Sequence, residues 1–311
     1  MTAATLIRNL DDLPRSLRSG AVTIGNFDGV HVGHAALLER LVARARAMRC
    51  PAVVFTFDPH PAELLYPDAV PPPLTWTERK AELLTALGVD AIIAYPTDRA
   101  VLSLSADEFF DRILREVLNV RAVVEGPNFF FGRNRSGTID YLAELCRRAG
   151  VQLEVVEPLW VDGYCVSSSR IRELIQVGNV SAADRLLTQP YRVHGVVVRG
   201  AGRGAQIGFP TANLEPVGMV LPPRGVYAGR AWLRDASFAA AIHIGPNPTF
   251  SEDRVKFEIH IVGIDRPLYG EMLGVDFLDR LRDIRSFDGV ADLQQQLRRD
   301  VDAARQVADK Q

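Results

Sequence analysis

Two histidines one helical turn apart are the first residues in the chain whose types and spacing suggest chemistry. In GNFDGVHVGHAALLERL, Gly25 to Leu41, His31 and His34 flank only Val32 and Gly33 where a helix should begin. The apolar run AVTIGNF before them reads as a buried strand entering a glycine-rich turn through Gly25, Asn26 and Phe27. At such a turn the first N–H groups of the helix have no partner and its dipole presents a positive end, so the position favours phosphate. Gly33 lets a ligand come close to the backbone, and both histidines could donate to phosphate oxygens that gain charge in a transition state. Taken alone, the same pair also suits an ordinary polar helix start.

Three further stretches carry chemistry. VSSSRIRELIQVGNV, Val166 to Val180, places Ser167, Ser168 and Ser169 before a helix and Arg170 and Arg172 in its first turns. Hydroxyl donors and guanidinium forks suit an anion, although serines before a helix also serve simply as caps. VVVRGAGRGAQIGFPTANL, Val196 to Leu214, is a strand followed by Gly200, Gly202, Arg203, Gly204, Gly208 and Pro210. Successive N–H groups of such a loop can converge on phosphate, and the absence of a following Gly-Lys-Ser/Thr excludes a Walker-type loop. Thr211 and Asn213 offer oxygen donors two residues apart, which suits a hard cation that keeps waters and nucleotide oxygens. In VKFEIHIVG, strand periodicity puts Val255, Phe257, Ile259 and Ile261 on one face and Lys256, Glu258 and His260 on the other. Glu258 could take the proton of a primary hydroxyl during phosphoryl transfer, or be a solvated strand residue.

The elements that must position these residues fall into two rhythms. From Ala21 to about Leu187, strand runs (AVTIGNF, PAVVFTF, DAIIAY, RAVVEG, VQLEVVE) alternate with amphipathic helical stretches, which implies a doubly wound α/β domain with a parallel sheet covered on both faces. The proline-rich LLYPDAVPPPLTWTERKAELL enters a helix with Thr75 and Glu78 spaced as a capping box. Beyond Leu187, period-two runs separated by Gly/Pro turns imply a small antiparallel β-barrel, closed by a helix from Val290 to about Val307. The expected domains are 1–187 and 188–311.

Composition sets the outer limits. A chain of 311 residues suits two domains, and 47% hydrophobic with 24% charged residues is ordinary for a soluble protein. No apolar run approaches the roughly 20 residues of a membrane span. The N-terminal stretch carries acidic residues and has no continuous apolar core with a small-residue cleavage site, so it does not read as a signal peptide. Cys50, Cys146 and Cys165 have no metal-ligand spacing, so a reducing cytoplasm is expected. A net charge of −2 argues against nucleic acid as a partner and leaves small phosphorylated ligands open. Nothing in the sequence speaks to oligomeric state.

The His-x-Gly-His of His31 to His34 resembles the signature of the nucleotidyltransferase superfamily. The ordered string IGNFDGVHVGHAALL, FTFDPHP, VEGPNFFFGRNRSG and VSSSRIRELI resembles the adenylyltransferase module of bacterial bifunctional riboflavin kinase/FAD synthetases. That resemblance implies that Asn26 and Asn128 lie around the triphosphate and flavin phosphate, that Ser167, Ser168, Ser169 and Arg172 grip the triphosphate, and that Phe129, Phe131 and Gly132 continue a family pattern. GFPTANL, with FEIHIV after IGPNPTF, resembles riboflavin kinases, which implies Mg²⁺ and nucleotide phosphates at Thr211 and Asn213 and a catalytic base at Glu258. The implied reactions are phosphorylation of riboflavin to FMN and adenylyl transfer from ATP to FMN, giving FAD and pyrophosphate. Pro127, Ser169, His243 and Ile284 depart from the family's usual residues. Two rivals remain: a nucleotidyltransferase with another acceptor, and a flavin-binding protein without turnover in one half.

Overall fold

The computed structural model describes residues 4–247 and 252–310, so the Pro248–Phe250 part of the IGPNPTF motif lies outside the described residues. Contacts group the chain into two compact units: Met1–Pro71 with Trp76–Ser167, and Pro72–Thr75 with Ser168–Gln311.

The first unit is built on a six-stranded sheet of β1 (Thr5–Ile7), β2 (Ala21–Ile24), β3 (Ala52–Asp58), β4 (Ala91–Pro96), β5 (Ala122–Glu125) and β6 (Gln152–Val155), in the order β1-β4-β3-β2-β5-β6. All pairings are parallel. Its helices are α1 (Val32–Met48), α2 (Pro61–Leu65), α3 (Thr77–Ala86), α4 (Arg99–Ser103), α5 (Ala106–Glu108) and α6 (Ile139–Ala149), and α5 continues as a π-helical stretch over Phe109–Val117. Alternating strand residues feed two cores. Val22, Ile24, Val53, Phe55 and Val123 pack under Phe110, Leu114 and Leu142 on one face. Ala21, Val54, Ile92 and Val124 pack under Leu38 and Leu41 of α1 and Leu83 and Leu84 of α3 on the other. Burial on both faces explains why these strands are continuous apolar runs rather than alternating ones.

The doubly wound sheet expected from the sequence is present, with two local differences. β1 was not expected, because it is three residues long and only Ile7 of it is buried. The Thr75/Glu78 capping box does not form: Trp76 is the N-cap of α3 without a side-chain cap, Glu78 pairs with Arg8, and Thr77 donates to Asp58 at 2.7 Å. The unit ends with a small hairpin of β7 (Trp160–Val161) and β8 (Tyr164–Cys165).

The second unit begins with α7 (Ser168–Gln176) and α8 (Val180–Asp184), so the residues between Ser168 and Leu187 cluster with it. The expected antiparallel barrel follows: β9 (Tyr191–Val198), β10 (Ala212–Pro216), β11 (Gly225–Leu233), β12 (Ala236–Asn247), β13 (Glu252–Ile261) and β14 (Met272–Arg282), closed in the order β10-β13-β12-β11-β14-β9. Its interior is filled by rings around Phe277, against which Tyr191, Tyr227 and Phe257 pack. The expected glycine-rich loop contains a four-residue helical turn, α9 (Arg203–Gln206), and α10 (Val290–Asp309) closes the chain. Bidentate pairing of Arg282 with Asp300, which is 4% exposed, ties α10 to β14.

Barrel closure leaves no room at Gly229, where a Cβ would lie 2.1 Å from Asp276 O and 2.4 Å from Ile242 Cδ1. Gly229→Ala is therefore expected to destabilise the second unit by about 2–4 kcal/mol, read as a lower denaturant midpoint for that unit alone. An unchanged midpoint would contradict the close packing.

Candidate active sites

The chain leaves β2 toward β3 and β4 on one side and returns to β5 and β6 on the other, so the sheet's topological switch point lies between β2 and β5. Ligands of such sheets bind outside the carboxyl ends of the strands at that point. The turn after β2 carries Gly25, Asn26, Phe27, His31, Gly33 and His34, and the turn after β5, where Phe129 N–H bonds Gly126 O, carries the exposed Asn128. The structure thus gathers these residues at one sheet edge. The chain before Ser167 passes the same place, with Val166 Cβ 3.7 Å from the position of a Cβ on Gly33. Ser168, Ser169 and Arg172 lie in α7 of the second unit, where Arg172 Nε donates to Pro72 O at 3.1 Å.

His31 and His34 cap each other. The His34 N–H donates to His31 Nδ1 at 3.2 Å and the His31 N–H donates to His34 Nδ1 at 3.3 Å. Their rings stack with centroids 3.6 Å apart. A nitrogen that accepts an N–H carries no proton, so each neutral ring holds its proton on Nε2. Burial lowers His31 to about 4, against an opposing pull from Asp28, and burial with the charges of His31 and Lys80 puts His34 well below its usual value. Both rings are therefore neutral Nε2–H donors near pH 7. Gly33 suits this packing, since a Cβ there would meet His31 Nδ1 at a tight 3.1 Å.

Sequence reasoning missed Lys80 and Asp28. Lys80 is 9% exposed, and its lowered pKa reflects burial, opposed by the Asp28 and Asp58 carboxylates. The signal was available: Lys80 stands on the apolar stripe of α3, one turn before Leu83 and Leu84.

In the second unit the strand register builds the site. Asn213 pairs with Glu258, Glu258 with His243, His243 with Val226, and Val226 with Arg282, so one row of side chains runs across five strands. Directly paired residues share a face. Phe257, Ile259 and Ile261 point into the barrel as expected, while Val255, expected with them, is 48% exposed. Lys256, Glu258 and His260 line a cleft with Thr211, Arg203 and Leu297 of α10. His260 Nδ1–H donates to Pro210 O at 2.8 Å, and His243 Nε2–H donates to Pro246 O at 3.2 Å. Burial lowers both histidines, and the neighbouring Glu258 pulls His243 back up. Gly204 allows the turn of α9 to fold onto the Phe209 carbonyl, 2.3 Å from where its Cβ would be, and Gly200 lies under the Asn213 amide. Gly202 and Gly208 have φ of +71° and +83°, a conformation that favours glycine.

The chain is similar over residues 13–170 to the family model described as FAD synthetase and over residues 187–308 to that described as riboflavin kinase. A bifunctional riboflavin kinase/FMN adenylyltransferase of Pseudomonas fluorescens is 35% identical over 304 residues, covering 97% of each chain. The chain belongs to the bifunctional riboflavin kinase/FMN adenylyltransferase family. An Escherichia coli member is 33% identical over 303 residues, 97% of each chain, and a Bacillus subtilis member 34% over 288 residues, 90% of this chain and 89% of that one. A crystal structure described as a macrolide-efflux protein from Streptococcus pneumoniae shares the fold, with a TM-score of 0.85 and 31% identity over 98% of this chain and 99% of that one. Both enzyme domains of the family are therefore present, the FAD synthetase domain over the capped histidines and the riboflavin kinase domain over the barrel.

Neutral capped histidines carry a pH signature. The unfolded chain takes up protons at these rings near 6.5, whereas folded His31 does so only at about 4. Acidification across that window favours the unfolded state, so the first unit is expected to lose stability as pH falls from about 6.5 to about 4. Denaturant unfolding across this range should show a shallower fall for a His31→Asn/His34→Asn variant than for the parent, and equal slopes would contradict the assignment.

Proposed function

We propose that residues 188–311 phosphorylate riboflavin with ATP and that residues 1–187 join AMP from a second ATP to the resulting FMN. The reciprocal histidine cap carries the reading of the first half: it leaves two neutral Nε2–H donors at a sheet switch point, beside a helix N-terminus that suits phosphate. The aligned Asn213–Glu258 pair supports the reading of the second.

In the kinase step the ribityl hydroxyl oxygen attacks the γ-phosphorus, its proton passes to Glu258, and ADP leaves. Gly202, Arg203, Gly204, Gly208 and Pro210 hold the nucleotide. No group of three His, Cys, Asp or Glu side chains forms a metal site among the described residues. The donors present, the exposed Thr211 hydroxyl and the Asn213 amide, fit a cation held mainly by phosphate oxygens. Mg²⁺ bound there would neutralise charge building on the phosphates.

In the adenylyl step an FMN phosphate oxygen attacks the α-phosphorus of ATP and pyrophosphate leaves. The nucleophile is already anionic, so no base is needed. His31, His34 and Arg172 stabilise the developing charge, Gly25, Asn26, Phe27, Gly33 and Asn128 shape the turns around it, and Ser167, Ser168 and Ser169 bind the triphosphate. We place the enzyme in the cytoplasm, with the small molecules riboflavin, FMN and ATP as its substrates. No helix among the described residues is long and apolar enough to cross a membrane.

Chromatographic time courses with riboflavin and MgATP test the assignment. The parent is expected to show transient FMN followed by FAD. Glu258→Gln should lower FMN formation by about 100-fold or more while still converting added FMN to FAD, and His31→Ala/His34→Ala should do the reverse. Either variant acting at the parent rate would remove the residue's role.

A further inference from the structure

The seam between β2 and β5 contains a buried carboxyl for which the two reactions have no use. Glu125 ends β5 and is 3% exposed. The β2–β5 ladder pairs only Ala21 with Ala122 and Val22 with Val123. On their outer sides the same strands stay in register further, β2 to Ile24 opposite Phe55 and β5 to Glu125 opposite Val155. The two strands thus part from each other before they part from their other neighbours, and they do so at the switch point.

The cause is visible in the hydrogen bonds. N–H groups along a central parallel strand alternate between its two neighbours. The Gly25 N–H goes to Phe55 O of β3 at 3.0 Å, so the Ile24 N–H faces β5. It donates there to Glu125 Oε1 at 2.5 Å, and Thr23 Oγ1 donates to the same oxygen at 3.3 Å. A side chain supplies the rung that a β5 carbonyl would otherwise supply, and its length holds the strand ends apart. Burial raises the Glu125 pKa well above its ordinary value, with the hydrogen bonds from Ile24 and Thr23 opposing.

We propose that Glu125 is a positioning residue of the adenylyltransferase site, spreading β2 from β5 so that the Gly25–His34 turn leaves the sheet in the direction that admits a nucleotide. This rests on reading the first unit as the FMN adenylyltransferase. A regular rung would draw the strand ends to about 4.8 Å and narrow the crevice, while loss of the acceptor would strand a buried N–H.

Full-length variants test it, with riboflavin kinase activity measured in the same samples. Glu125→Gln keeps the length and the acceptor oxygen, and is expected to hold kcat for FMN adenylylation within about threefold of the parent. Glu125→Ala should lower that kcat by about tenfold or more, since small misplacements of a site are costly, with kinase activity unchanged. Should the alanine variant fail to fold, Glu125→Asp, one methylene shorter, should lose several-fold in kcat at an unchanged melting temperature. The proposal is overturned if glutamine fails as badly as alanine, if alanine or, in its place, aspartate keeps full activity, or if a variant's loss is accounted for by its unfolded fraction alone. A parent enzyme that makes FMN but never FAD would instead defeat the adenylyltransferase reading, and this proposal with it.

Discussion

The proposed adenylyl-transfer site depends on one exchange of hydrogen bonds, the mutual capping of His31 and His34. A helix N-terminus must find acceptors for its first N–H groups, and here two imidazole nitrogens serve. That use of Nδ1 leaves each ring's proton on Nε2. Burial disfavours the charged form of both rings, and stacking, which brings their charges close, adds to this at His34. Gly33 spares the His31 ring a tight contact with a Cβ. The site is thus prepared to donate to phosphate without bringing in positive charge of its own on these rings. Any charge of that kind must come from other residues, such as Lys80 beside them.

The proposed kinase site rests on register rather than on a cap. Five strands align Asn213, Glu258, His243, Val226 and Arg282 across the outside of the barrel, where a one-residue slip of β13 would turn Glu258 inward. The buried Arg282–Asp300 pair, with Gln296 donating to Asp300 at 2.7 Å, fixes α10 over that face and makes a cleft of what would otherwise be an exposed sheet surface.

Much of this was legible in the chain because strong periodicity marks buried elements. The five longer strands of the sheet, α1, α3, α6 and α10 all stand out in that way. β10 and β14 did not: the first lies among Gly/Pro turn signals in GFPTANLEP, and the second spaces Leu273, Val275, Phe277 and Leu278 in a pattern that is not strictly alternating. The motif at His31 and Gly33 was visible, but what closes on Gly33 is the His31 ring, a contact no spacing encodes. Lys80 and Glu125 were missed for a common reason. Each is a charged residue type on an apolar stripe, and its role comes from neighbours distant in sequence: Asp28 and Asp58 for one, Thr23 and Ile24 for the other. The serine–arginine segment was legible as a motif, whereas its division between the two compact units at Ser167 was not.

The most direct test of the capped-histidine account is the tautomeric state of the two rings. Nitrogen-15 chemical shifts of His31 and His34, assigned by single substitution, should show an unprotonated Nδ1 and a protonated Nε2 on both rings from pH 8 down to about 5.5. A proton on Nδ1 of either ring, or an imidazolium at neutral pH, would contradict the cap and the neutral-donor role built on it.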